Sequence, residues 1–325
     1  MNVAAFILLA LMLTVYILLD GYDLGIGTMH LFLGRNDRER AESFAAIGPF
    51  WNGNEVFIVA AAAVLFALFP RVYAASFSGF YLPFIILLWL FMVRGMAIEL
   101  RGHFESDLWY GFWDVAFCVS SALLAFFFGL SLGNVLRGVP LAESGFFAGT
   151  FGFLFNGYSI LVGVLALFAL AMHGCAFLWM RTEPELRARA QKLTRALWPI
   201  VLVLFLGATA ATLFVHPIPH NLVLWIAPLV ALVALIALMF AKNGTTALAC
   251  SSLFLFGLMI SAAETLFPYL LPKFPIGSGG LDVYNASPGA YSLGTAFTFA
   301  IIGFGAALIY GSIAALRMLR ASGRA

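Results

Sequence analysis

The sequence predicts an all-α polytopic membrane protein of nine transmembrane helices, arranged as two four-helix bundles plus one peripheral helix. Three observations predict it. The 325 residues are 63% hydrophobic, with a mean hydropathy of +1.02. Only 10% are charged, against about a quarter in soluble domains. Apolar runs recur along the chain at about 20 residues, the length that crosses a bilayer as a helix. Backbone groups in lipid must pair internally, which permits helices or closed barrels, and these runs are far too long for barrel strands.

The elements follow in order. Helix one runs from about Val3 into the Asp20–Gly27 region, with Gly21 and Gly25 on one face, so that a neighbour can pack closely there. Only Met1 and Asn2 precede the apolar run, with no basic segment, and Asp20 and Asp23 stand where a cleavage site would fall, so it reads as a retained helix. A charged loop, Arg35 to Glu42, precedes helix two, about Phe44 to Phe69, which stops at Pro70. Helix three covers about Phe77 to Leu100, helix four about Leu108 to Leu132, and helix five about Phe151 to Met180. The segment Arg181 to Arg195 reads as a short amphipathic surface turn with Pro184 early, leading into helix six, about Leu197 to Phe214. Helix seven covers about Asn221 to Phe240 and helix eight about Thr246 to Phe267. A Gly/Pro-rich loop, Pro272 to Gly289, leads to helix nine, about Tyr291 to Leu316, and a basic tail. The whole is one integral membrane domain: helices one to four over 3–134, five to eight over 151–268, and helix nine over 291–316.

An odd helix count with the N-terminus outside puts thirteen arginines and lysines in cytoplasmic loops and tail, among them Arg35, Arg101, Arg187 and Lys242. Three remain outside, Arg71, Arg137 and Lys273. This is a strong positive-inside bias. The net charge of +2, spread over short loops, excludes a nucleic-acid surface. Cys118, Cys175 and Cys250 lie singly in apolar runs, which reads as buried thiols rather than a disulfide or metal framework.

Polar groups inside such helices are costly and mark function or pairing. Asp20 and Asp23 end helix one; Asn52 and Glu55 begin the apolar part of helix two. Each pair is three residues apart and shares a helix face. If the faces meet, they form a polar pocket open to the cytoplasm, a proton entry path or a cation site. Hydration and capping at the membrane boundary is the structural alternative, and Asn52 does not titrate. Arg94 lies too deep for a loop charge; it needs an acid on another helix, and Asp114 is the candidate, with Glu99 five residues along from Arg94. Glu264 is an isolated outer-side acid. His173 follows a long apolar run but lacks a second axial His or Met, so it reads as a hydrogen-bonded interior histidine and no metal is expected. His216 and His220 flank Pro217 and Pro219, which oppose a helical metal pair.

These motifs carry a resemblance. Asp20-Gly21-Tyr22-Asp23-Leu24-Gly25, Leu33-Gly34-Arg35-Asn36-Asp37, Trp51-Asn52-Gly53-Asn54-Glu55-Val56, Trp113-Asp114, His173-Gly174, Leu266-Phe267-Pro268 and Tyr284-Asn285-Ala286-Ser287 occur in this order over nearly the whole chain. In order and spacing the chain resembles subunit II of the cytochrome bd-type quinol oxidases. The resemblance implies a respiratory complex in a bacterial inner membrane that oxidises a quinol and reduces dioxygen to water. It implies a partner, subunit I, that carries the b and d haems and the quinol site. Subunit II itself binds no haem, stabilises subunit I and lines a proton path from the cytoplasm. A structural quinone or lipid in this chain and a small single-helix accessory subunit are further expectations from the same source.

One departure matters. Members of this family commonly have aspartate where this chain has Asn52, so Glu55, one turn on, is the expected substitute. A proton- or cation-coupled secondary transporter is the rival reading, as is a purely structural membrane partner. Transporters place broken helices and their sites near the midplane, whereas these acids gather at helix ends.

Overall fold

The structure, a computed structural model, describes residues 1–216 and 225–322, with the side chains of the last helix as far as Ile313. The expected start of helix seven at Asn221, the loop residues Pro217, Pro219 and His220, and the basic side chains of Arg317, Arg320 and Arg324 lie outside the described residues.

The elements are α1 (Asn2–Leu33), α2 (Asp37–Ile47), α3 (Trp51–Leu68), α4 (Pro70–Gly79) and α5 (Tyr81–Leu100), which ends in a 3₁₀ turn, Arg101–His103. Then come α6 (Asp107–Arg137), a second 3₁₀ turn (Phe151–Leu154), α7 (Gly157–Arg181), α8 (Pro184–Val215), α9 (Ile226–Met239) and α10 (Gly244–Leu266). A hairpin of β1 (Tyr269–Pro272) and β2 (Gly280–Asp282) precedes α11 (Ala290–Ser322). Among the described residues, 8 helices are long and apolar enough to cross a membrane; α9 is apolar but shorter. The protein is therefore an all-α multi-pass membrane protein.

Local chemistry sets the boundaries. Asn36, Asn156 and Asn243 each cap a helix, accepting from the backbone N–H three residues on, at α2, α7 and α10. Pro70 and Pro184 occupy the first turns of α4 and α8, where a missing N–H costs nothing.

The structure departs from the sequence expectations at three places. The charged loop expected before helix two is the helix α2, started by the Asn36 cap with Asp37 and Glu39 in its first turn. Predicted helix three is preceded by α4, because Pro70 starts a helix as readily as it ends one. Of the surface turn expected over Arg181 to Arg195, everything from Pro184 on is the first third of α8, which runs unbroken past Pro199. A proline there removes one backbone bond, a loss that packed neighbours in a membrane bundle tolerate.

Helix α7 sits at the centre, packed against α6, α8, α1 and α10. Its closest approach is to α1. A Cβ added at Gly25 would meet the backbone of Leu170, and one at Gly174 would meet the backbone of Ile26 and Gly25. The two glycines thus let the backbones touch, the close packing that small residues allow in membranes. One hydrophobic core runs through α1, α6, α7, α8, α9 and α10, crossing the division between the two expected bundles. Helix α11 lies outside it, resting chiefly on α3.

Candidate functional site

The packing of α1 against α3, with α5 held beside them through α6, brings four charged side chains together. Arg94 of α5 is fully buried, and so are Asp20 and Asp23 of α1. The guanidinium grips both oxygens of Asp20: Nη2 donates to Oδ1 at 2.5 Å and Nη1 to Oδ2 at 3.0 Å. Nη1 also donates to Glu55 Oε1 of α3 at 3.1 Å. Asp23 Oδ2 lies 3.9 Å from Nη2, an ion pair without a hydrogen bond.

Neutral donors complete the cluster. Tyr16, one turn before Asp20, donates its hydroxyl to Oδ2 at 2.8 Å. Asn54 of α3 donates to Asp23 Oδ2 and to the Tyr22 hydroxyl, each at 2.8 Å. Two buried atoms are left without partners, Asp23 Oδ1 and Arg94 Nε. The Glu55 side chain is 24% exposed, so it is the member of the cluster that reaches the surface. Three carboxylates facing one guanidinium cannot all be ionised without an uncompensated buried charge. The arrangement can hold and exchange protons.

The structure separates residues that the sequence grouped. Asn52 is exposed and borders a groove between α3 and α11 with Gly53, Val56 and Tyr310. Asn54, two residues on, is the amide that enters the cluster. At about 100° per residue the two point to different sides of α3. Sequence reasoning passed over Asn54, Tyr16 and Tyr22. Tyr16 carries a legible signal, an i,i+4 relation to Asp20. Glu99 is exposed on α5.

The expected Arg94–Asp114 pair is corrected. Arg94 pairs with Asp20 and Glu55, and Asp114 belongs to a second buried knot. Its carboxylate accepts from Arg101 Nε at 2.5 Å and from Arg40 Nη1 at 3.0 Å, and His30 Nε2 lies 2.9 Å away. Arg101 also reaches Asp37 at 2.5 Å, and His30 Nδ1 meets Ser43 Oγ at 2.9 Å. This knot ties α2 and the end of α5 to α1 and α6. The pairing differs because the long Arg94 side chain reaches from α5 to Asp20 of α1 and Glu55 of α3, while Asp114 of α6 is taken up by Arg101, Arg40 and His30. Beyond the apolar layer, Arg189 of α8 binds Glu39 of α2 through both oxygens, at 2.6 and 3.1 Å. These bonds to Arg189 hold the Glu39 carboxyl below its ordinary range.

His173 is buried with both ring nitrogens engaged, Nδ1 by Ser251 Oγ at 2.8 Å and Nε2 by the Leu18 carbonyl at 3.1 Å. That leaves no ring nitrogen free for an iron. Among the described residues no three His, Cys, Asp or Glu side chains gather as a metal site. Glu264 Oε2 is buried without a partner. An apolar cavity of about 350 Å³ lies between α1, α6, α7, α8 and α10, lined by Ile17, Phe128, Leu165, Phe205 and Leu258 with Tyr158 and Thr212 at one side.

Comparison with known proteins agrees with this architecture. The model of the family described as cytochrome bd terminal oxidase subunit II matches residues 1–316. The chain is 33% identical over 303 residues to cytochrome bd ubiquinol oxidase subunit 2 of Bacillus subtilis, covering 89% of this chain and 87% of that one. It is 28% identical over 334 residues to cytochrome bd-I ubiquinol oxidase subunit 2 of Escherichia coli, covering 91% and 88%. Among solved structures, the bd oxidase from Geobacillus thermodenitrificans superposes with a TM-score of 0.77 at 17% identity, covering 98% of both chains, a likeness of fold.

Proposed function

The chain belongs to the cytochrome bd terminal oxidase subunit II family, and from that premise we propose how it serves the complex. It is the haem-free subunit of an oxidoreductase that couples quinol oxidation to the reduction of dioxygen. It works beside a haem-bearing subunit I in a bacterial inner membrane, with haems b and d and the quinol site in that partner. The N-terminus is outside and the C-terminus cytoplasmic, in keeping with the bias of basic residues to one side. A single-helix accessory subunit completes the assembly.

Within the complex this chain lines a proton-uptake path. The observation that carries the reading is the convergence of Asp20, Asp23 and Glu55 on Arg94. Glu55, partly exposed, takes the proton from the cytoplasmic side. Asp23, with Oδ1 unpartnered, receives it on the way to subunit I. Arg94 holds Asp20 through two hydrogen bonds and so fixes the geometry. Asn52, outside the cluster, has no proton to pass, and Glu55 does its work. Arg94, Asp114 and Glu99 serve structure, the first two through the pairs described. The apolar cavity suits the isoprenoid or acyl tail of a structural quinone or lipid, with Tyr158 and Thr212 as polar neighbours for its head.

The experiment is an oxygen pulse given to proteoliposomes holding the complete complex. Glu55→Gln should slow proton uptake with the haem spectrum unchanged. Wild-type uptake in that variant refutes the path while leaving the subunit assignment intact.

A further inference from the structure

We propose that Lys192, Arg195 and Lys242 form the head-group site of an anionic phospholipid whose acyl chains occupy the cleft between α8 and α9. The site stands apart from the carboxylate cluster and does not depend on the proton path.

Helix α8 has 32 residues, about 48 Å at 1.5 Å per residue, well beyond a ~30 Å hydrocarbon layer. Its buried positions, Leu186, Ala190, Thr194, Leu197, Val201 and Phe205, form one stripe. The opposite stripe is exposed and changes character along its length. Lys192 and Arg195 come first, then Pro199, Val203 and Leu206. A cationic end running into an aliphatic one matches the order of a phospholipid, head group then tail.

Lys242 is brought to the same end of the bundle. The turn between α9 and α10 carries it, and Gly244, which opens α10, packs against the backbone of Trp179 and Met180 at the end of α7. The Arg195 guanidinium lies over the Trp179 ring, 5.8 Å from its centroid. Trp179 thus has Arg195 over its ring and, against its backbone, the helix start that follows Lys242 by two residues. Below them α8 packs along α7 and α9 along α10, while α8 and α9 touch each other at few points. A hydrogen bond joins them there, Trp198 Nε1 donating to the Leu235 carbonyl at 2.6 Å. Val233 and Ile236 of α9 are exposed on the other bank.

The charges are uncompensated. The neighbouring arginines are engaged, Arg187 by the Thr182 carbonyl and Arg189 by Glu39. Among the described residues no acid pairs with Lys192, Arg195 or Lys242. Glu185 lies about two turns further out along α8. Basic side chains at a membrane edge between helices attract phosphate head groups, and an exposed aliphatic cleft directly beneath selects a phosphate that bears acyl chains.

The test is native mass spectrometry of the purified, delipidated complex titrated with phosphatidylglycerol, phosphatidylcholine or inorganic phosphate. Phosphatidylglycerol should bind in preference to phosphatidylcholine. Affinity should fall roughly fivefold for each cation neutralised in Lys192→Gln, Arg195→Gln and Lys242→Gln. Arg195→Lys, which keeps the charge, should bind nearly as the parent does. The side chains are exposed, and an unchanged haem spectrum verifies assembly. Equal binding of the two lipids, undiminished phosphatidylglycerol binding in the triple variant, or displacement of the lipid by inorganic phosphate would each overturn the assignment.

Discussion

Arg94 and Asp20, 74 positions apart in the chain, meet through two parallel hydrogen bonds of 2.5 and 3.0 Å with neither side chain exposed. A buried bidentate pair is costly to break from one side, because the survivor keeps its charge without a partner. Arg94→Met should therefore destabilise the complex by about 3–5 kcal/mol. Adding Asp20→Asn to Arg94→Met should recover part of the loss. Thermal unfolding of the single and double variants in detergent measures the coupling. Strict additivity would show that the pair contributes nothing beyond its separate members.

The proton reading distinguishes two residues one turn apart. Glu55→Gln should lower quinol oxidase turnover about a hundredfold, the lower range for losing a positioned proton-transfer group. Asn52→Ala, on the exposed groove beside α11, should leave turnover near the parent level. Steady-state oxygen consumption, normalised to haem, separates them; equal effects at both positions would remove the assignment to Glu55.

The seam between α1 and α7 depends on two glycines. Gly25→Ala and Gly174→Ala each place a methyl group against backbone atoms of the opposing helix. Each should cost at least about 1–3 kcal/mol, as overpacking does. Gly207→Ala, on α8 with nothing within 4 Å of the added carbon, is the matched control. Tm values of the three variants check the difference.

Glu39 links stability to pH outside the membrane. Its carboxyl titrates lower in the folded protein than in the unfolded chain, because Arg189 binds the ionised form. The pair's contribution is thus full above the ordinary glutamate value of about 4.3 and is lost as pH falls through that value to the folded one. Below pH ~4.3 the parent should lose Tm with acid more steeply than Glu39→Gln does. Parallel acid limbs for the two proteins would show that Arg189 gives Glu39 no pH-dependent stability.

Much of the fold was legible because hydropathy is a local property. A run of about 20 apolar residues must cross as a helix whatever surrounds it, and the spans at α1, α6, α7 and α10 are near where the sequence puts them. The amphipathic start of α8 was harder to read. Its composition is that of a surface turn, yet its buried stripe, Leu186, Ala190 and Thr194, continues in register into the membrane-crossing part. The asparagine caps were visible as residue types, but their side-chain bonds were not.

The sequence by itself determined the class of protein, the positions of the spans, the closeness of a neighbour at Gly21 and Gly25, and the presence of costly acids in two apolar helices, although Asp20 and Asp23 stand inside α1 rather than at its end. Only the tertiary structure decided who partners whom. It put Arg94 on Asp20 and Glu55, gave Asp114 to Arg101, Arg40 and His30, and turned Asn54 inward where Asn52 faces out. The reason is geometric. Hydropathy fixes how deep a residue sits, but its partner depends on the rotation of each helix and on which helices stand side by side. Those follow from the packing of the whole bundle around α7.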